Sequence, residues 1–401
     1  MTPLNILFLS RCYYPAVEYG GPIFTMRPLA DALCQRGHNV SVWTTDLLKP
    51  GEKMPGAPFE REVDGAHVVY HRSGWCYRWE PTIPGFGRYC REHLRGFDAI
   101  HIFGYRDLLA PVACRYARLR SIPYVIEPLG SLLPQLRSFR KKWLYDHTLG
   151  PSVLDGARCL IATSEQERGD FIRLGTAPER AVVRANPINL DEFRNLPPRG
   201  SRRASLGIAP SACVVLFMGR LCAIKGMHRL VEAFSRIDAE HHLWLVGSPE
   251  DREYVQRLNR MIGRLNLGRR VHFLGPLYDD EKLQALVDAD ILVLPSDREN
   301  FGNAAAEAVA CGIPVIVTDS CGIAPLVEGR AGIVVPPAVE PLGEALRSLT
   351  TDIVLRQRLA DGCAQVRNDL SWEKPVEIQE QIYENMLLPR TTRLVNKEQG
   401  V

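Results

Sequence analysis

Glu299 and Glu307 close off the stretch of this sequence with the densest chemistry, Asp297-Arg298-Glu299-Asn300-Phe301-Gly302-Asn303-Ala304-Ala305-Ala306-Glu307. The apolar run Ile291 to Leu294 before it reads as a strand. The alanine-rich run after it reads as a helix, stopped by Cys311-Gly312-Ile313-Pro314. Glu299 then falls in the loop beside the free N–H groups of Asn300, Phe301 and Gly302, and Glu307 falls on the second helical turn. Amides at a helix start favour an anion by a few tenths to about 1 kcal/mol. A carboxylate beside them accepts sugar hydroxyls, and one deeper in the helix takes two vicinal hydroxyls, as a ribose is held in nucleotide sites. For Glu299 the rival role is to stabilise the dipole of its own helix.

A second cluster precedes it. The run Cys213 to Met218 reads as a strand, followed by Gly219-Arg220-Leu221 and then Lys225-Gly226. Arg220 just past a strand end and Lys225 entering the next helix are two cations on one rim, suited to a diphosphate. The rival reading is two solvated surface charges. Near the N-terminus, Tyr19-Gly20-Gly21-Pro22 follows the first strand, with glycines that let amides approach an anion at a helix start and Pro22 in the first turn. An ordinary turn would look the same. The G-x-G-x-x-G pattern a dehydrogenase needs after its first strand is absent.

Short apolar runs alternate with stretches of helical period along the chain, the pattern of parallel sheets covered on both faces by helices. In the first half the strands are Leu4 to Ser10, Asn39 to Thr44, Ala66 to His71, Ala99 to Phe103, Tyr124 to Glu127, Cys159 to Thr163 and Ala181 to Val183. In the second they are Cys213 to Met218, His242 to Val246, Val271 to Leu274, Ile291 to Leu294, Val315 to Thr318 and Ile333 to Val335. Lys49 to Phe59 and residues 74 to 88 read as loops. The predicted organisation is a Rossmann-like domain over 1–190, a linker over 191–204 with Leu196-Pro197-Pro198 at its centre, and a second Rossmann-like domain over 205–370. A helix over 371–390, capped by Ser371, packs back toward the first domain, and 391–401 is a disordered tail. Open parallel sheets bind ligands at the carboxyl ends of their strands, so two such edges facing each other make a cleft where the chemistry is expected.

Composition narrows the class. The 401 residues are 46% hydrophobic and 24% charged, as in ordinary globular proteins, and too long for one domain. With 49 basic against 46 acidic residues, the net charge of +3 argues against a dedicated nucleic-acid binder. The excess lies in the first half. Eleven cysteines without a C-x-x-C pair fit reduced thiols rather than a disulfide framework or a zinc site. The N-terminal apolar run lacks a basic flank and reads as a buried strand, not a signal peptide. No stretch reaches the roughly 18 to 20 apolar residues of a membrane span. A cytoplasmic protein, peripheral at most on a membrane, is expected.

Taken together, the glycine pair, Gly219-Arg220-Leu221 with Lys225-Gly226, and the two glutamates before an alanine-rich helix resemble the retaining glycosyltransferases of family four, of GT-B fold. Asn186-Pro187-Ile188-Asn189, Phe273-Leu274-Gly275 and Ser371-Trp372-Glu373 also look like that family, so the resemblance spans nearly the whole chain. It implies a UDP- or GDP-sugar donor held mainly by the second domain and a glycan or lipid-linked acceptor held mainly by the first, as in exopolysaccharide or lipopolysaccharide synthesis. Arg220 and Lys225 would neutralise the diphosphate without a metal or other cofactor. Glu299 and the amides of Asn300, Phe301 and Gly302 would hold the donor sugar, Glu307 the ribose, and Gly20 and Gly21 the phosphates.

The pattern departs at Glu127-Pro128-Leu129-Gly130, where the family often has histidine in place of Leu129. Either the contact is dispensed with, or Glu127, or His101 at a strand end facing the cleft, partly substitutes; the rival reading for His101, a lone histidine among apolar residues, is a satisfied core residue. Arg137-Ser138-Phe139-Arg140-Lys141-Lys142-Trp143, after Leu132, Leu133 and Leu136, has the makings of a helix for an anionic membrane surface, the rival reading being a merely solvated helix face. The alternatives are a sugar-nucleotide epimerase and a non-catalytic sugar-nucleotide-binding subunit.

Overall fold

The computed structural model describes residues 2–77, 79–133 and 139–388. The chain divides into two compact units: the residues up to Pro187 together with those from Trp372 onward, and Ile188–Ser371 between them.

In the first unit the large sheet comprises β1 (Asn5–Leu9), β2 (Asn39–Thr45), β3 (Phe59–Val63), β4 (Ala66–His71), β5 (Ala99–Phe103), β6 (Tyr124–Glu127), β7 (Leu160–Ala162) and β8 (Ala181–Val183). They lie in the order β8-β7-β6-β5-β1-β2-β4-β3. All pairings are parallel except β3 on β4. The apolar run of β1 is buried on both faces. Ile6 and Phe8 pack into one core with Leu29 and Leu33, and Leu7 and Leu9 pack into the other with Ile100 and Ile102. That two-sided burial is why the strand reads as a continuous apolar run.

Two stretches read as loops hold more order. The first contains a ribbon of Leu47–Lys49 on Glu52–Lys53 and leads into edge strand β3. In β3 the charged Glu60 and Glu62 are exposed, so the strand lacks an apolar run. The second contains a hairpin of Cys76–Tyr77 on Glu80–Pro81, then a helix from Phe86 to His93.

The second unit is a six-stranded, all-parallel sheet of β9 (Val214–Met218), β10 (His242–Val246), β11 (Val271–Gly275), β12 (Ile291–Leu294), β13 (Val315–Thr318) and β14 (Gly332–Val335). Its order is β11-β10-β9-β12-β13-β14. The chain therefore runs outward in opposite directions from β9 and β12, which makes the carboxyl ends of these two neighbours a topological switch point. The segment read as a linker is docked on this unit. Arg199 pairs with Asp290, and the buried Arg203 pairs with Asp290 and donates from Nε to the carbonyl of Asp288 at 2.7 Å.

The last helix, Glu373–Leu387, belongs to the first unit and sends Val376, Ile382, Tyr383 and Met386 into its core. Glu380 holds it against Arg36 at 2.7 Å and His38 at 3.2 Å. Trp372 rather than Ser371 occupies the cap position, and no side chain caps this helix. The tail from 391 lies outside the described residues.

Candidate functional site

Beyond the carboxyl ends of β9, β10, β12 and β13 the chain segments remain closely tied. Leu221 bridges to Pro249 and Glu299 to Cys321. The amide of Leu221 donates to the carbonyl of Ser248 at 2.9 Å. Glu299 is fixed on both sides, its amide donating to Ser320 and its carbonyl accepting from Gly322, each at 3.0 Å. The Asp297 amide donates to the Ile224 carbonyl at 2.8 Å, joining the β12 loop to the 3-10 turn Ala223–Lys225.

Gly226 makes that junction possible. It adopts a left-handed φ of 70°, and a β-carbon there would lie 1.9 Å from the carbonyl oxygen of Pro295. Arg229 braces the same carbonyl at 2.9 Å and pairs with Asp297 at 2.8 Å. Gly226→Ala is expected to cost at least about 2 kcal/mol of stability, from overpacking plus a strained backbone. Chemical denaturation checks this, and a cost below 0.5 kcal/mol, to order of magnitude, would mean the junction yields easily.

Lys225 Nζ donates to Glu299 Oε2, with the two side chains only 13% and 20% exposed. Two of the groups picked out in the sequence are thus in direct contact. Arg220 is more open, 56% exposed, and pairs with Glu250 at 2.8 Å. A pair this exposed is worth about 0–1 kcal/mol, so little holds the guanidinium to Glu250.

Gly302, at φ 109°, caps the helix Asn303–Ala310 without any side-chain cap bond. The first N–H groups of a helix have no partner within it. Phe301 is buried and anchors the loop. Glu307 stands on the second turn, engaged by Lys282 at 3.1 Å. Burial pulls the Lys282 ammonium down, but Glu307 outweighs it and holds it above its ordinary range. The site thus contains two carboxylate–ammonium pairs, Lys225–Glu299 and Lys282–Glu307.

In the first unit Gly20 takes a φ of 89° and caps the helix Gly21–Gln35, with Pro22 in the first turn and no side-chain cap. Arg11, just past β1, is buried and pairs with Glu80. Desolvation works against the Arg11 charge, but Tyr19 and Asp107 hold it above its usual range.

His101 is not turned toward open space. It is fully buried, its Nδ1 lies 2.9 Å from the hydroxyl of Tyr383 and its Nε2 lies 3.2 Å from Glu127. Glu127, equally buried, takes Arg184 at 2.5 Å. Neither side chain is exposed to take a sugar hydroxyl here, because a buried arginine needs the carboxylate as its counter-ion. Desolvation raises Glu127, but Arg184 and His101 together hold it below the usual carboxylate range. Burial pushes His101 down. Leu129 stands in a left-handed conformation, φ 51°.

Sequence reasoning missed Glu250, Lys282, Arg229, Arg184 and Tyr383. Each is the partner of a residue from a distant element, and no local spacing announces such pairs. Sequence reasoning also found no Asp-x-Asp triplet, which is wrong: Asp288-Ala289-Asp290 is one. That triplet lies at the amino end of β12, opposite the site. Asp288 accepts from the amides of Gly200 and Arg202, and Asp290 from the amide of Val214.

Two open parallel sheets with switch points at their centres define the class, a GT-B protein of two Rossmann-like units. HepE from Anabaena, solved in complex with UDP-glucose, superposes with a TM-score of 0.74 over 96% of this chain and 99% of its own, at 22% identity. WaaG, a glycosyltransferase involved in lipopolysaccharide biosynthesis, gives 0.66 over 93% and 99%, at 20% identity. The family "Glycosyl transferase 4-like domain" matches residues 20–187 and "Glycosyl transferases group 1" matches 212–352. The chain belongs to this glycosyltransferase family. The D-inositol 3-phosphate glycosyltransferase of Streptomyces bingchenggensis is 32% identical over 245 residues, 58% of this chain and 53% of its own length. The chain spans about half the length of the curated relatives it matches.

Proposed function

We propose that the protein is a retaining, metal-independent glycosyltransferase that moves a hexose from a nucleoside-diphosphate sugar to a glycan or lipid-linked acceptor, as in exopolysaccharide or lipopolysaccharide assembly. The observation that carries this reading is the Lys225–Glu299 pair beside the uncapped start of the helix Asn303–Ala310, at the carboxyl ends of the two central strands.

Lys225 and Arg220 neutralise the diphosphate. This frees Glu299 to accept hydroxyls of the donor sugar beside the amides of Asn300, Phe301 and Gly302. Glu307 takes the ribose, and the Gly20-Gly21 turn offers amides to a phosphate. The bond from the anomeric carbon to the phosphate oxygen breaks through an oxocarbenium-like state. The acceptor oxygen bonds to the same face, and its proton passes to the departing phosphate. The two cations stabilise charge that grows on the leaving group, a task a divalent ion performs elsewhere.

The test is turnover of labelled UDP- and GDP-sugars with and without EDTA. Transfer that survives EDTA and keeps the anomeric configuration supports the reading. A free isomer made without acceptor, or donor binding without turnover, overturns it.

The membrane reading falls on the helix Phe139–Thr148, while Leu136, Arg137 and Ser138 lie outside the described residues. Among the described residues no helix is long and apolar enough to cross a membrane. Trp143 and Leu144 are exposed, 61% and 56%, alongside Arg140 and Lys141, whereas Leu132 is buried in the core and leaves the proposed face. We propose that this helix docks on anionic lipid. Neutralising Arg140, Lys141 and Lys142 together is expected to abolish flotation with vesicles containing phosphatidylglycerol, at about 1 kcal/mol per cation. Unchanged flotation would reject the proposal.

A further inference from the structure

The hairpin Cys76–Tyr77 on Glu80–Pro81 is one of the stretches the sequence presented as loop. Its base is closed by the Gly74 amide donating to Thr82 at 2.8 Å and the Thr82 amide donating to Trp75 at 2.9 Å. Lys53 Nζ donates to the carbonyls of Ser73 at 2.8 Å and Gly74 at 3.0 Å, which fixes the entry to the hairpin. Two contacts place it beside the Gly20-Gly21 turn: Trp79 packs on Tyr19 with ring centroids 5.2 Å apart, and Glu80 pairs with Arg11. It therefore stands at the carboxyl edge of the sheet, next to the turn assigned to a phosphate.

Alternation along the strand splits its side chains. Cys76 packs against the core, and Trp75 and Tyr77 emerge on the other side, 67% and 39% exposed. Their rings are parallel to within 12°, centroids 6.1 Å apart. Lys141 Nζ, from the helix Phe139–Thr148, lies 3.9 Å from the centre of the Tyr77 ring. The widely exposed Trp75 ring on a short, fixed ribbon, beside a Tyr77 ring whose face carries the Lys141 ammonium, matches a pyranose ring with an attached anionic group. The apolar C–H face of the sugar stacks on Trp75, and the ammonium held over Tyr77 meets the charge.

We infer that Trp75, Tyr77 and Lys141 form the acceptor platform, taking a hexopyranosyl group that carries a phosphate or carboxylate. This rests on the glycosyltransferase reading and adds the chemistry of the acceptor to it.

The experiment uses the full chain with saturating UDP occupying the donor site and reads binding of methyl α-D-glucopyranoside and of α-D-glucose 1-phosphate by saturation-transfer NMR. The phosphate sugar is expected to bind more tightly. Trp75→Ala is expected to weaken both probes by about threefold to tenfold. Lys141→Ala should bring the phosphate sugar down to the level of the methyl glucoside and leave the latter unchanged. Absence of binding by both probes, or affinities unmoved by Trp75→Ala, overturns the inference. So does loss of adsorption to phosphatidylglycerol vesicles in Trp75→Ala with sugar affinities intact, which would make the hairpin a membrane anchor. Stabilisation by UDP is measured in parallel on the same samples. If wild-type protein shows none, the donor-binding reading fails, whereas UDP stabilisation without sugar binding sinks the platform alone.

Discussion

Replacing Lys225 by alanine is expected to slow hexose transfer by about 10² to 10³, the loss that follows removal of one fixed donor aimed at charge developing in the transition state. Arg220→Ala should fall in the same range. Its exposed pairing with Glu250 only marks where the side chain waits, and does not measure its value to a diphosphate. A loss below tenfold in folded protein would remove either residue from the chemistry. The Lys225–Glu299 contact adds a prediction of opposite sign. Glu299 holds the ammonium that, on the proposed function, a diphosphate would take, so Glu299→Gln should bind UDP more tightly than wild type while its turnover falls. Isothermal titration with UDP, set beside a donor assay, separates the two effects. Weaker UDP binding in Glu299→Gln would show that the carboxylate does not compete for Lys225.

Glu127→Leu is expected to destabilise the protein by about 3–5 kcal/mol, because it leaves the fully buried Arg184 without its counter-ion. Adding Arg184→Met should recover most of that loss, since an apolar pair of similar volume removes both charges. If the double variant is no more stable than the single one, the pair is not the cause. The acid side carries a matching signature. Arg184 and His101 hold the Glu127 carboxyl below the ordinary carboxylate range in the folded protein, so its contribution is complete above the unfolded value of about 4.3 and is lost as the pH falls through the folded value. Urea denaturation across pH 3 to 6 (about the range where carboxylates titrate) should show that slope in wild type and a flatter profile in the double variant.

Much of the architecture was legible because buried parallel strands leave unmistakable apolar runs. Ala66 to His71, Ala99 to Phe103, Tyr124 to Glu127, Ala181 to Val183, His242 to Val246, Ile291 to Leu294 and Val315 to Thr318 are strands with the bounds expected of them. The edge strand Phe59–Val63 escaped notice because its charged residues alternate outward, and the Cys76–Pro81 hairpin because two-residue strands carry no period. In the site, Glu299 was legible as a loop residue past a strand end and Lys225 as a cation entering the next helix. What sequence does not display is who holds whom. For His101 the sequence left a cleft-facing ligand and a core residue open, and it is the latter, one member of a buried quartet with Glu127, Arg184 and Tyr383, assembled from separate segments. The Pro-rich stretch 191–204 looked like a free spacer for the same reason, since its arginines find Asp288 and Asp290 only once β12 is in place.

The return of the last helix to the first unit has a consequence for how the chain matures. Val376, Ile382, Tyr383 and Met386 cover the same core as Ile6 and Phe8, so nascent residues up to Pro187 emerge from the ribosome with that apolar surface bare. The Ile188–Ser371 unit is thereby wholly synthesised before the amino-terminal one has all its parts, in contrast to domains completed strictly from the amino terminus. A message truncated before Trp372 would yield a finished carboxyl-terminal lobe tethered to an unsealed, chaperone-seeking partner.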